Sequence, residues 1–235
     1  MTRLKKNAGA LGVAALLLAA CGSSGQEDQA TIAGQLRKVA APAISRATGQ
    51  QAEEAAPAAP LSADEMAARA LAANPAPLIL VSLESTGATQ VMAMVGENGG
   101  MRTYMTPNMQ ALVIRSGMLT GTKGLGNDLS VAEVEGTANL IRARRAGQGS
   151  RTMRYISGDG TERPLPLNCT IAVGDAKSFS FAGTGWNATQ VVESCEGSGA
   201  EVQNSYLVTA SGQIPVSRQW IGPRLGYVTI QTIRP

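Results

Sequence analysis

The chain contains no histidine among its 235 residues. That absence removes the side chain most often used as a general base near neutral pH, and with it the commonest zinc ligand. Ser-His-Asp and Cys-His catalysis are therefore excluded. Aromatic residues make up only 3% of the sequence, so platforms for stacked bases are few. Cysteine is scarce, with Cys21, Cys169 and Cys195 alone. Long apolar runs are missing as well. The main one, residues 8–20, falls short of the roughly 20 residues a membrane-spanning helix requires.

Residues 8–20 instead resemble the apolar region of an export signal. Arg3, Lys5 and Lys6 precede them and polar residues follow Cys21, the three-part pattern of a signal peptide. Leu18-Ala19-Ala20-Cys21 resembles the lipobox of bacterial lipoproteins, where small residues fit the processing protease and the cysteine thiol receives diacylglycerol. That resemblance implies loss of residues 1–20 and lipidation of Cys21. Each buried acyl methylene adds about 0.8 kcal/mol, so two or three chains anchor firmly. The bland alternative is an ordinary secretory signal with an accidental cysteine. Gly22 stands where inner-membrane lipoproteins of the enterobacterial type carry Asp, which implies the outer membrane. Removal of the leader takes all three of its basic residues and leaves 17 basic against 17 acidic. A neutral mature chain has no basic footprint, so nucleic-acid binding is discarded.

If Cys21 carries lipid, Cys169 and Cys195 are left as a pair in an oxidising compartment, and a disulfide is expected. Such a bridge contributes roughly 3–4 kcal/mol by the loop-entropy model. Two buried free thiols are the alternative.

Residues 21–60 are rich in Ala, Gln, Glu, Gly and Pro and read as a flexible tether. Ile32, Leu36 and Val39 fall at helical spacing within it. A firmer helix is expected from Ser62, whose spacing to Glu65 forms a capping box, to Asn74, where Pro75 disfavours continuation. After Pro77 the pattern turns to short apolar or alternating segments punctuated by Gly, Asn, Asp and Ser, which reads as antiparallel strands. Strands are expected at residues 78–83, 90–95, 101–106, 109–114, 153–156, 163–173, 189–194, 201–209, 213–221 and 226–233. Asn98-Gly99, Gly158-Asp159-Gly160 and Ser211-Gly212 mark hairpins. Pro215, lacking an amide donor, predicts an edge strand or a bulge. Residues 129–143 have helical composition, with an N-cap at Asp128 or Ser130. Residues 61–235 thus form one all-β domain, an antiparallel barrel or a sandwich, behind a signal peptide (1–20) and a tether (21–60).

The Gly-rich segment 117–126 invites a phosphate-loop reading, but Thr122 stands before Lys123 where a Walker loop requires Gly. It reads as turns. Glu84, Glu133, Asp159, Glu193 and Glu196 allow a glycosidase pair in principle, as any set of 17 acidic residues does. No metal site, cofactor or catalytic residue is expected.

Segment 117–129, then Glu193-Ser194-Cys195 with Asn204-Ser205-Tyr206, and finally Ser217-Arg218-Gln219-Trp220-Ile221-Gly222-Pro223 with Gly226-Tyr227 together resemble the group 4 capsule polysaccharide lipoprotein family of the YjbF/GfcB type. The resemblance spans about residues 75–233. It implies a β-rich, barrel-like lipoprotein of the outer membrane, a non-enzymatic accessory in capsule or exopolysaccharide secretion or assembly. Its implied partners are the membrane, through the lipid, and periplasmic and outer-membrane proteins of a polysaccharide operon. A carbohydrate-active enzyme or a purely structural envelope protein are the alternatives. Arg218, Gln219, Trp220 and Tyr227 are candidates for contact with sugar or partner, since aromatic faces stack on sugar C–H groups and Arg and Gln bond hydroxyls. The competing reading makes Trp220 and Tyr227 a hydrophobic plug.

Replacing Cys21 by Ser is expected to leave an unprocessed, unlipidated precursor. Mass spectrometry of the membrane fraction checks this, and normal processing of the variant refutes the assignment.

Overall fold

A computed structural model describes residues 61–156 and 159–235. The leader, Cys21, the tether and Gly158 lie outside the described residues. One short helix, α1 (Ala63–Ala73), leads into β1 (Leu78–Leu83), β2 (Ala88–Asn98), β3 (Met101–Met105), β4 (Ala111–Arg115), β5 (Met118–Lys123) and β6 (Leu129–Glu133). A second helix, α2 (Glu135–Arg142), precedes β7 (Gly147–Ile156), β8 (Glu162–Phe181), β9 (Thr184–Gly197), β10 (Ala200–Thr209), β11 (Val216–Gly222) and β12 (Gly226–Arg234). All twelve strands form one sheet in the order β5-β4-β3-β2-β1-β12-β11-β10-β9-β8-β7-β6. Every ladder is antiparallel, and the sheet curls into a nearly closed barrel whose end strands, β5 and β6, are consecutive in the chain. The barrel expectation holds. Among the described residues no helix is long and apolar enough to cross a membrane.

β1 shows why a continuous apolar run suits this architecture. Ile79, Val81 and Leu83 enter the main core cluster, while Leu78 and Leu80 join a second cluster with Ala67 of α1, Phe181 and Ile233. Both faces of the strand are therefore covered, which removes the usual alternation. α1 is held by its capping box: Ser62 Oγ accepts from the Glu65 amide at 3.3 Å, and Glu65 Oε2 accepts from the Ser62 amide at 2.8 Å. It ends at Asn74 as Pro75 requires. At the β2–β3 turn Gly99 and Gly100 have φ of 56° and 78°, a conformation with little steric cost for glycine alone.

Three expectations need correction. The Gly-rich segment is not only turns, because residues 118–123 form β5, whose first five residues are buried. Residues 129–143 are not one helix: β6 occupies 129–133 and α2 only 135–142. Asp128 is the reason. Its carboxylate accepts from the amides of Gly124 and Leu125 and from the hydroxyl of Thr122, so it closes the β5–β6 turn and caps no helix. Of the two alternatives for the strand of Pro215 the edge fails, while the ladder of β11 with β12 does carry an irregularity, between Trp220 and Gly222. Pro215 precedes β11, an inner strand, and its carbonyl accepts the Thr232 amide.

α2 lies against β7 with backbone on backbone. A Cβ on Gly149 would stand 2.3 Å from the Gly136 carbonyl oxygen, so neither glycine tolerates a side chain there. The approach brings Val134 and Ile141 into the core and buries Thr137 completely. β8 and β9 outrun their neighbours: β7 pairs with β8 only as far as Ile171, and β10 pairs with β9 only from Ala188 onward. The remainder forms a two-stranded arm whose Phe179, Phe181 and Ala182 pack beside α1.

Cys169 and Cys195 face each other across β8 and β9 and are joined in a disulfide, 26 residues apart in sequence. Loss of either cysteine is expected to cost about 3 kcal/mol, checked by urea unfolding of Cys169→Ser. In the native protein both should resist alkylation until a reductant is added, and two freely labelled thiols under non-reducing denaturation refute the bridge.

Candidate functional site

The barrel interior holds charge. Arg151 on β7 and Glu193 on β9 form an ion pair at 2.9 Å, with side chains 1% and 0% exposed. Glu193 Oε2 also accepts from Asn204 Nδ2 at 2.8 Å and from the Tyr206 hydroxyl at 2.8 Å. Arg151 donates further to the Leu119 carbonyl at 3.3 Å. Burial pushes the Glu193 carboxyl up, but the Arg151 charge, the Thr137 hydroxyl, Asn204 and Tyr206 outweigh it and hold the group below its ordinary 4.5. Burial, reinforced by the Glu193 charge, drives the Tyr206 phenol well above its ordinary value. Asn204 Oδ1 accepts the Trp220 amide at 2.7 Å, which carries the network onto β11. Beside it Gln219, fully buried, accepts the Leu119 amide at 2.8 Å and donates to the Gly117 carbonyl at 2.9 Å.

The four residues singled out in the C-terminal strands do not form one surface. Arg218 and Tyr227 lie together on the outside, the guanidinium 3.5 Å from the ring centroid, an attractive cation–π distance. Arg218 also makes a two-pronged pair with Glu84 at 2.6 and 2.8 Å, which lowers the Glu84 carboxyl pKa. Gln219 points the other way, into the interior network. Trp220, paired with Tyr227 in the ladder, is only 8% exposed and belongs to the main core cluster.

Among the candidate carboxylates, Glu133 pairs with Arg154 and Asp159 with Arg163, and Glu196 is exposed on β9. Glu193 lies close to the two cysteine sulfurs, with ligand atoms within 4.8 Å of one another, but the disulfide denies a metal both thiolates. Lys123 of the Gly-rich segment is exposed at the end of β5.

A cleft of about 340 Å³ opens at the barrel end that carries the β2–β3 and β4–β5 turns. Its lining includes Trp186 of the arm, Arg102 and Glu97, which pair at 3.0 Å, and the apolar Ile79, Ile214 and Pro215. Tyr104 lies beside Arg102 and raises its pKa by hydrogen bonding. The Trp186 indole nitrogen is buried and has no hydrogen-bond partner among the described residues. Sequence reading passed over Trp186 because it sits in a run of Gly, Asn and Thr. A lone Trp brought to the same cleft as an Arg across five intervening strands leaves no local signature.

Residues 52–233 match the family described as group 4 capsule polysaccharide lipoprotein gfcB, YjbF. Among solved structures, the chain is similar to the hypothetical lipoprotein YmcC from Escherichia coli (K12), with a TM-score of 0.63 and 20% identity. The match covers 75% of this chain and 98% of that one. At that identity the likeness speaks to the fold. A comparison with curated proteins gives no match.

Removing one member of the buried pair, as in Arg151→Met, is expected to cost about 3–5 kcal/mol because Glu193 is then charged, buried and unpaired. Replacing both, as Arg151→Met with Glu193→Leu, should recover most of that loss in chemical denaturation. The pH dependence has a definite sign. The Glu193 carboxyl titrates lower in the folded than in the unfolded chain, so the unfolded state takes up the proton first. Its contribution is complete above about pH 5 and is lost as pH falls through the depressed native value. Acid unfolding of wild type against the double variant checks this: the wild type should lose more stability on acidification.

Proposed function

Because the chain belongs to the group 4 capsule polysaccharide lipoprotein family over residues 52–233, we propose that it is an outer-membrane lipoprotein that serves capsule or exopolysaccharide secretion or assembly without catalysing a reaction. Cys21 carries the anchor and Gly22 directs the protein outward, with the barrel facing the periplasm. The partners are periplasmic and outer-membrane proteins encoded with the polysaccharide genes.

The observation that carries the accessory reading is the commitment of the charged interior. Arg151 and Glu193 are engaged with each other and with Asn204, Tyr206 and a backbone carbonyl, at depths no substrate reaches. A glycosidase needs two carboxyls flanking an accessible bond. Here Glu193 is fully buried, while Glu84, Glu133 and Asp159 each pair with an arginine on the outside. The outer Arg218–Tyr227 stack beside Glu84 is a preorganised planar cation of the kind enriched at protein interfaces, and we take it as a partner contact.

Deletion of the gene is expected to reduce surface polysaccharide while leaving its sugar composition and linkages unchanged, with full-length protein restoring secretion. Altered composition or linkages in the residual polymer would point to a modifying enzyme instead, and unchanged surface polysaccharide would remove the secretion role. Arg218→Glu should lower recovery of cross-linked partner proteins while thermal unfolding stays near wild type.

A further inference from the structure

We propose that the cleft between the β8–β9 arm and the barrel end is a saccharide-binding site that holds a one- or two-residue segment of the exported polysaccharide against Trp186. This rests on the polysaccharide role proposed above and adds to it a place and a chemistry. The volume, about 340 Å³, lies at the small end of the ~300–1,000 Å³ usual for ligand sites.

The lining has the two characters a pyranose requires. The Trp186 indole, Ile214 and Pro215 supply apolar surface for the C–H face of a sugar ring. The Arg102–Glu97 pair, half-exposed, presents donors and acceptors together at 3.0 Å. Sugar hydroxyls both donate and accept, so they suit a paired cation and carboxylate better than an isolated charge of either sign. An acyl chain would call for a lining without ions, whereas Arg102, Glu97 and Arg142 all line this one.

The Trp186 N–H supplies a separate indication. A buried donor without a partner is unfavourable by about 1–3 kcal/mol, and buried Trp N–H groups usually find an acceptor. This one belongs to a residue that lines the cleft and has none among the described residues, though the nitrogen itself is buried. A small turn of the indole on binding would bring that N–H to a sugar hydroxyl, which provides the acceptor.

The test uses the full mature lipoprotein in detergent micelles, titrated with oligosaccharides of one to four residues prepared from the producing strain's own polysaccharide. Calorimetry and intrinsic fluorescence follow binding. Saturable binding is expected for wild type, weakened about tenfold or more in Trp186→Ala and in Arg102→Gln, with Trp186→Phe between because it keeps a stacking face but loses the N–H. Arg224→Ala, the same loss of charge on the exposed β11–β12 turn, should bind as wild type. Wild-type affinity in both Trp186→Phe and Arg102→Gln overturns the proposal whether or not the alanine variant folds. So does an equal loss in Arg224→Ala, or a wild type that binds no fragment. Secretion in the deletion strain separates the two ideas: a secretion defect with no saccharide binding removes the cleft and leaves the export role standing.

Discussion

The contact between Arg151 and Glu193 joins β7 to β9 where neither charge reaches solvent. Two ions removed from water need more than each other, since desolvation can exceed their mutual attraction unless further hydrogen bonds complete both shells. Asn204 and Tyr206 on β10 both donate to Glu193 Oε2, and the Leu119 carbonyl on β5 takes part of the guanidinium, while Glu193 Oε1 and Arg151 Nε have no hydrogen-bond partner among the described residues. Asn204 and Gln219 extend the same web to β11 and back to the Leu119 amide. The result ties five strands together from within. That matters most at β5, which has β4 on one side and no ladder with β6 on the other. In β5 the pairing with β4 shifts around Thr120, and both backbone groups of the adjacent Leu119 are taken by interior side chains. Closure of the barrel across its seam thus relies on polar side chains where other strand pairs rely on a ladder.

A polar interior engaged in closing the barrel leaves recognition to the outside and the ends. α1 and the arm cover the outer face of β1 and β12. Arg218, Tyr227 and Glu84 remain outside as a rigid group, and the cleft around Trp186 opens at one end.

Much of the fold was legible from local chemistry. The run 78–83, the Ser62 and Glu65 capping box and the Asn98-Gly99 turn each carry a signal within a few residues; the first two elements stand where that signal put them, and the hairpin turn lies one residue on, at Gly99-Gly100. β5 escaped because Met-Leu-Thr-Gly-Thr-Lys has no apolar alternation and carries a Gly in its middle, and its assignment depends on burial supplied by distant strands. Asp128 misled because the same carboxylate that caps helices also closes turns. The arm was cut short at residue 173 since beyond it β8 alternates little and is largely exposed. Arg151, between Ser150 and Thr152, reads as a surface residue, and Glu193 as one acid among many. Only the folded chain makes them neighbours across 42 residues.

The disulfide has a geometric consequence beyond stability. It sits in the paired part of β8 and β9 before the ladder's irregularity between Val173 and Ala176, and the arm extends past that point. A hairpin that long is prone to sliding, and sliding by one residue would exchange the two faces of a strand. Phe179, Phe181 and Trp186 would then turn away from the surfaces they now meet. Locking Cys169 opposite Cys195 opposes such a slip from a point about twelve residues from the tip. The bridge therefore acts as an index pin: whatever the arm does as a body, the same side chains always face α1 and the cleft.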